Sequence, residues 1–228
     1  MRVGLQLPIL SAPRREAILE FARAAERLGF DSLWTNSHTA IPAEFAPRYP
    51  YSDDGRPPWN ATTPWLDALT TLAFVAAATE RIRLGVAVVP LITTDPITLA
   101  KQTATIDVLS GGRFELGIGA GWLTEEGRAV GNPTDHRTAR LEEAIDILRA
   151  AWTAPTFTHQ GRFWSFPELG VNPKPAQGAA LPLWIGGHGD EAVRVAAEHD
   201  AGLFVWLPRS PTDLDGYRRK LRARSATS

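Results

Sequence analysis

Short, uninterrupted apolar segments alternate along the chain with longer segments whose apolar residues recur at helical spacing. The apolar segments predict six strands, at residues 2–7, 31–35, 81–89, 113–118, 181–185 and 203–207. Strands that are apolar throughout, as at 84–89, are typical of parallel sheets buried on both faces. A predicted helix follows each strand, and this alternation indicates either a (β/α) barrel or a doubly wound sheet.

The segment after the first strand separates these two folds. No glycine-rich dinucleotide fingerprint follows it, which argues against the doubly wound sheet. We therefore predict an α/β fold of the TIM type, a (β/α) barrel formed by one domain that covers residues 1–228. A barrel of this type has eight strands, so the sequence predicts a barrel that lacks its last two strands.

Two of the connections between these elements are long, and the first of them ends where the second helix is predicted to begin. The second helix is predicted to begin at Thr63-Pro64, because proline suits the first turn of a helix. The segments 39–63 and 153–180 are rich in proline and aromatic residues and interrupt the alternation of strands and helices. Connections of this length in a compact domain are usually lids or binding loops, and we predict that role for both.

Composition excludes several classes of function. The net charge of −1 leaves no excess of cations to neutralise phosphates, so we predict no nucleic-acid partner. The chain has no cysteine, which excludes disulfides and thiolate-ligated metals, and we predict no metal site. The longest apolar stretch, near residues 66–78, is too short to span a bilayer. The N-terminus has no long apolar signal core, so we expect a cytoplasmic protein without a membrane partner.

Three short motifs follow predicted strands. His38 follows the second strand, at the end where barrel active sites form, and histidine exchanges protons near neutral pH. A hydrogen-bonded histidine at the start of a loop is the alternative. The alternating glycines of residues 117–121 suit either a flat ring close to the backbone or a tight turn. The run 186–190 either binds phosphate at a helix N-terminus or forms a plain turn, and Asp190 could cap that helix itself.

Together with neighbouring segments, these motifs resemble those of the bacterial luciferase-like oxidoreductases. The central match is the segment 81–122, with the core Ala-Lys-Gln-Thr-Ala-Thr-Ile-Asp-Val-Leu-Ser-Gly-Gly-Arg at 100–113. Further matches are Leu-Gly-Phe-Asp-Ser-Leu-Trp at 28–34, Gly-Arg-Phe-Trp at 161–164 and Pro-Leu-Trp-Ile-Gly-Gly at 182–187. The loop 49–55 is similar to that of the subgroup described as probable coenzyme F420-dependent oxidoreductases.

The resemblance implies a cofactor ring over the mouth of the barrel and assigns ten residues to the site. It implies a catalytic role for His38, near the reactive face of the ring. It also implies a bulge behind the ring at the end of the third strand. The implied cofactor-binding residues are Val88, Val89 and Pro90 at the bulge, Gly119, Gly121 and Trp122 in the wall formed by the fourth strand, and Gly186, Gly187 and His188 at the phosphate.

Three positions depart from the family pattern. Many relatives carry a basic residue just before the proline of the third helix, where this chain has Thr94-Asp95-Pro96. Relatives usually carry Asp-His where this chain has Ser37-His38, so the histidine is predicted to lack an acidic partner. Trp122 stands where the deazaflavin sugar-phosphate dehydrogenases have a catalytic glutamate, which argues against that chemistry. Glu125 and Glu126 fall where many relatives also carry acids, and we predict that both are solvated charges.

The resemblance therefore implies an oxidoreductase that uses coenzyme F420 to exchange a hydride with a small organic substrate. FMN is the alternative cofactor, with monooxygenation as the alternative reaction. In either case the cofactor supplies the electron chemistry, and the protein positions the substrate and excludes water. The alternative of another class is a non-catalytic flavin-binding protein or a truncated relative. The open edges of a six-stranded sheet favour a homodimer whose interface covers part of them.

Overall fold

The structure is a computed structural model that describes residues 2–11, 13–46, 48–49, 51–206 and 211–225. In chain order its strands are β1 (Gly4–Gln6), β2 (Ser32–Thr35), β3 (Arg83–Pro90), β4 (Phe114–Gly119), β5 (Phe157–Gln160), β6 (Ser165–Leu169), β7 (Leu183–Gly186) and β8 (Gly202–Phe204). Its α-helices are α1 (Arg15–Arg27), α2 (Ala68–Ala76), α3 (Pro96–Leu109), α4 (Thr124–Ala129), α5 (Arg137–Thr153), α6 (Asp190–Glu198) and α7 (Pro211–Ser225). Within these ranges, no helix is long and apolar enough to cross a membrane.

Six strands form one parallel sheet in the order β1-β2-β3-β4-β7-β8. They correspond to the six predicted strands, and the predicted fold is confirmed: the sheet and its helices form a half-barrel with β1 and β8 at the edges. The last strand was expected to reach Leu207, which lies outside the described residues.

Side chains alternate between the two faces of this sheet. Leu33 and Leu84 lie on the face that the helices cover, and both are completely buried. On the opposite face, Trp34 packs edge-on against Trp184 with 5.9 Å between the ring centroids. A Cβ atom at Gly85 would lie 2.4 Å from the Trp34 ring, so glycine is required for the indole to lie across β3. Tryptophan rings therefore occupy the interior of the half-barrel.

Strand β3 is irregular near its carboxyl end. Its pairing with β4 shifts in register between Val86 and Val89, and the peptide bond between Ala87 and Val88 is cis. The bulge expected at the end of the third strand is thus confirmed.

The second helix begins later than the sequence predicts. It starts at Ala68 instead of Pro64, because the side chain of Asp67 accepts a hydrogen bond of 2.7 Å from the N–H of Thr70. A carboxylate that accepts from the third helical N–H is a strong N-cap. Pro64 lies before the helix, in the loop that leads to it.

The prediction of a long loop at 153–180 is wrong in part. This segment contains β5 and β6, which pair as an antiparallel hairpin. The carboxylate of Glu143 on α5 accepts hydrogen bonds from the N–H groups of Phe163 and Trp164, at 3.0 and 2.8 Å, and contacts the ring of His159. One partly buried acid therefore attaches the tip of the hairpin to α5.

Candidate active site

A cavity of about 310 Å³ opens at the carboxyl ends of the parallel strands. Residues that end or follow β2, β3, β4, β7 and β8 all contribute to its wall. The lining residues are Asn36, Ser37, His38, Tyr49, Tyr51, Trp59, Trp65, Ala87, Val88, Pro90, Gly119, Ala120, Gly121, Trp122, Gly186, Gly187, His188, Phe204 and Trp206. Active sites of (β/α) barrels form at this edge of the sheet.

Nine of the ten predicted site residues line this cavity. They are His38, Val88, Pro90, Gly119, Gly121, Trp122, Gly186, Gly187 and His188. The tenth, Val89, does not contribute to the lining, because its side chain is buried in the hydrophobic core and is 4% exposed. The fold thus brings together segments from four separate strand ends, and the role of each residue in binding stays a prediction.

His38 has an acidic partner in the structure, contrary to the prediction from Ser37-His38. Its Nδ1 atom lies 2.7 Å from Oε2 of Glu126. An ionised carboxylate only accepts hydrogen bonds, so in the neutral ring the proton lies on Nδ1 and the lone pair on Nε2. The pair therefore leaves His38 with an Nε2 atom that can accept a proton.

Glu126 is a buried residue, and the prediction that it is solvated is wrong. It lies in the first turn of α4 and is 0% exposed. Its other carboxylate oxygen accepts hydrogen bonds from the N–H groups of Thr39 and Ala40, at 2.5 and 3.2 Å. These contacts compensate the cost of burying the charge and fix the loop that carries His38.

The neighbouring acid, Glu125, attaches the 39–63 loop to α4. Its Oε1 atom lies 2.7 Å from Nη2 of Arg48, and its side chain is 22% exposed. Burial tends to raise the pKa of Glu125, but hydrogen bonds from backbone N–H groups and from Thr124, with the charge of Arg48, lower it below its usual value. Glu125 is therefore ionised in the folded protein at neutral pH, but it is paired and not simply solvated.

Aromatic side chains of the 39–63 loop form one wall of the cavity. The ring centroids of Trp59 and His38 are 4.9 Å apart, and those of Tyr49 and Trp122 are 5.4 Å apart. On the side of the cavity formed by the turn after β7, the ring centroids of Tyr51 and His188 are 5.0 Å apart. This loop therefore lies against the cavity, as expected of a binding loop, although Pro47 and Pro50 within it lie outside the described residues.

The two tyrosines of this wall are neutral at physiological pH. Burial raises the pKa of Tyr51 to about 12, with smaller contributions from Tyr49 and Tyr217. Burial also raises the pKa of Tyr49. Neither phenol is therefore a base at neutral pH, and the two histidines of the lining are His38 and His188.

The turn between β7 and α6 offers fewer free donors than its sequence indicates. The N–H of Gly187 donates to the carbonyl oxygen of Phe204 at 3.1 Å. Nε2 of His188 lies 2.7 Å from the carbonyl oxygen of Trp206. The first turn of an α-helix, however, has backbone N–H groups without intrahelical acceptors. Any phosphate at this turn would therefore be bound by the N-terminal turn of α6 and not by Gly187.

Gly187 is also required by the fold itself. Its φ angle is +156°, and a Cβ atom there would lie 2.6 Å from that of Ala192. Gly189 occupies the N-cap position of α6. Asp190 is the first helical residue, and its carboxylate accepts a hydrogen bond of 2.5 Å from Nζ of Lys220.

Comparisons with known proteins agree with this geometry. The model of the family described as luciferase-like monooxygenase matches residues 2–228. The chain belongs to the luciferase-like family. A similar protein, 35% identical over 201 residues, is an uncharacterized protein of Mycobacterium tuberculosis; the match covers 85% of this chain and 67% of that one.

Two relatives have names that state a cofactor. An F420-dependent glucose-6-phosphate dehydrogenase of Microbacterium testaceum is 32% identical, over 90% of this chain and 55% of that protein. An FMNH2-dependent dimethylsulfone monooxygenase of Pseudomonas putida is 30% identical, over 71% of this chain and 45% of that protein. The chain thus spans about half the length of these two luciferase-like relatives.

The fold is shared with solved structures of the family. An F420-dependent secondary alcohol dehydrogenase, in complex with an F420-acetone adduct, superimposes with a TM-score of 0.78. The match covers 99% of this chain and 64% of the other, at 21% sequence identity, which supports the fold alone. Family members named in these comparisons are flavin- or F420-dependent oxidoreductases and monooxygenases.

Proposed function

We propose that this luciferase-like chain binds coenzyme F420 and exchanges a hydride between it and a small organic substrate. The observation that carries the proposal is the hydrogen-bonded pair of His38 and Glu126 in the wall of the cavity. Similarity to an F420-dependent dehydrogenase and the 49–55 loop motif support the deazaflavin over FMN.

The cavity suits a flat heteroaromatic ring. Its volume of about 310 Å³ lies within the range of small-molecule sites. Gly119 and Gly186 line it without side chains, and a Cβ atom at Gly186 would lie 2.6 Å from the Val88 side chain. Val88, Gly119 and Gly186 would therefore hold the ring, and the first turn of α6 would bind the phosphate.

The bound cofactor supplies the two-electron chemistry, and the protein supplies a proton site. When an alcohol is oxidised to a carbonyl compound, it loses a hydride and a proton. Nε2 of His38 accepts that proton, because Nδ1 is held by Glu126. The aromatic loop wall covers one side of the same space.

Experiment distinguishes this proposed function from two alternatives. FMN-dependent monooxygenation is supported by the relative from Pseudomonas putida. A non-catalytic flavin-binding role is supported by the two barrel strands missing from the described residues. Its other support, a His38 without an acidic partner, is removed by the contact with Glu126.

We also propose that the chain forms a homodimer that covers part of the open sheet edge at β8. Helix α7 lies beside this strand, and residues of both, including Leu203, Leu214 and Leu221, line a cleft of about 300 Å³. Leu214 is 41% exposed. An edge strand bordered by an open apolar cleft favours association.

Anaerobic titration with coenzyme F420 and with FMN, followed by absorbance and fluorescence, tests the cofactor assignment. We expect one F420 to bind per chain, more tightly than FMN. His38→Ala should leave this affinity within about threefold and lower turnover by about 100-fold, since a proton acceptor acts mainly in the transition state. Tighter binding of FMN would support the monooxygenase, and binding of neither cofactor would contradict the proposal.

A further inference from the structure

The charges around the cavity constrain what it can bind. Among the described lining residues, none is a lysine or an arginine. Two nearby arginines have other partners: Arg48 pairs with Glu125, and Nη1 of Arg137 donates to the carbonyl oxygen of Gly121 at 2.6 Å. A substrate phosphate or carboxylate would therefore meet, among the described residues of this space, no cationic side chain to compensate the loss of its hydration.

The buried Glu126 adds a negative charge behind His38, one of the two histidines that line the cavity. Its carboxylate is 0% exposed and lies 2.7 Å from His38. Because water does not screen a charge at this depth, it acts on a ligand that contacts the other side of the ring. An anionic substrate that approached Nε2 of His38 would be repelled, whereas a neutral one would not.

The remaining surface of the cavity is largely aromatic. Trp59 packs edge-on against Trp65 with 5.4 Å between the ring centroids, and both contact the ring of His38. Tyr49 and Trp122 continue this surface. Aromatic walls of this kind bind flat apolar groups by stacking and edge-to-face contacts.

From these three observations we infer that the substrate is an uncharged compound with a flat apolar ring system and an alcohol or carbonyl group. Its oxygen meets Nε2 of His38, and its ring system packs against Trp59, on the loop side of the cavity. The inference rests on the proposed function for the reaction itself. Sugar phosphates and carboxylates are excluded as substrates, although a relative of this chain is named for glucose 6-phosphate.

Calorimetric titration with two probes that share one ring skeleton tests the inference. The probes are 2-naphthylmethanol, which is neutral, and 2-naphthoate, which is an anion at neutral pH. We expect the alcohol to bind at least about tenfold more tightly than the carboxylate, a difference of about 1.4 kcal/mol. Glucose 6-phosphate should show no detectable heat of binding.

Two variants locate the binding in the cavity. Trp59→Ala should weaken the alcohol about tenfold, because it removes the aromatic surface beside His38. Tyr49→Arg should reverse the preference toward the carboxylate, because it introduces a cation into the lining. The matched control is Phe74→Ala, an aromatic residue of α2 that is 39% exposed and does not line the cavity; it should change neither affinity.

The titrations are made on the protein with and without coenzyme F420. If F420 does not bind, the proposed cofactor is wrong, and the comparison of the two probes on the cofactor-free protein still decides the substrate class. Equal or tighter binding of 2-naphthoate to the wild-type protein would overturn the inference. So would undetectable binding of the alcohol at millimolar concentration, or an unchanged affinity in Trp59→Ala.

Discussion

The Nδ1 atom of His38 lies 2.7 Å from Oε2 of Glu126, although the two residues are 88 positions apart in the sequence. His38 follows β2, and Glu126 lies in the first turn of α4, which follows β4. Because both strand ends open into the same cavity, the parallel sheet brings an imidazole and a buried carboxylate into contact there. The carboxylate fixes which ring nitrogen carries the proton, and this determines how His38 can react.

Glu126→Gln should reverse that arrangement. The amide N–H₂ of glutamine can donate to Nδ1, which would move the ring proton to Nε2 and remove the acceptor that faces the cavity. Nitrogen-15 NMR of the histidine side chains should show the change of tautomer. Turnover should fall about 100-fold with cofactor affinity unchanged within about threefold.

Glu125→Gln is the matched control, since it removes the adjacent acid of the same helical turn. It should leave the His38 tautomer unchanged and affect turnover less than Glu126→Gln does. An identical His38 spectrum in the wild-type protein and Glu126→Gln would contradict the positioning role.

The sequence was sufficient to predict the sheet but not the carboxylate of the site. Segments such as 84–89 are apolar throughout and bounded by turns, so their number, order and parallel character follow from local pattern. Glu126 shows no local sign of burial, because an acid in the first turn of a helix is usually solvated. Its burial depends on the N–H groups of Thr39 and Ala40, which only the folded chain brings close.

Two errors in the predicted elements have different origins, a local capping side chain and a contact between distant segments. Proline at position 64 suits a helix start, but the side chain of Asp67 fixes the start three residues further on. The hairpin of β5 and β6 is attached by Glu143 of α5, a contact between segments that are distant in the sequence. The role of Val89 as a cavity residue also depended on the bulge in β3, which decides which of two neighbouring valines faces the cavity.

The first turn of α6 should bind the cofactor phosphate more tightly once one of its two acids, Asp190, is removed. Asp190→Asn deletes a negative charge from the helix N-terminus, where the helix dipole favours anions. We expect the dissociation constant of F420 to fall by about two- to fivefold, corresponding to roughly 0.3–1 kcal/mol. Fluorescence titration measures this change, and Glu198→Gln at the other end of α6 is the control. Equal effects of both substitutions would place the phosphate elsewhere.

Glu26 should make stability depend on pH, far from the cavity. Burial tends to raise its pKa, but hydrogen bonds from the N–H groups of Arg81, Ile82 and Glu80 outweigh this and lower the pKa below the usual 4.5. The contribution of this carboxylate to stability is therefore fully present above about pH 4.5. It is lost as the pH falls through the lower pKa of the folded state.

Glu26→Gln should accordingly lower the free energy of unfolding at neutral pH by about 1 kcal/mol, because neutral hydrogen bonds replace charged ones. The difference from the wild-type protein should shrink as the pH falls below about 4.5, since a protonated glutamate resembles glutamine. Urea unfolding at a series of pH values measures this difference in the free energy of unfolding. A difference that stayed constant down to pH 3 would contradict the assignment.

The proposed homodimer is tested by sedimentation equilibrium. We expect a dimer at micromolar concentration, and Leu214→Glu should shift the equilibrium toward monomer, because it places a charge in the apolar cleft beside β8. Phe74→Glu, an exposed substitution on α2, is the comparison. A well-folded monomer of the wild-type protein at this concentration would contradict the proposal.

The most direct test of the central claim is a crystal structure of the protein with bound coenzyme F420. We predict that the deazaflavin ring lies in the cavity against Val88 and Gly119, with Nε2 of His38 facing the ring and the phosphate at the first turn of α6. A ring bound outside this cavity, or an empty cavity in crystals saturated with the coenzyme, would contradict the account.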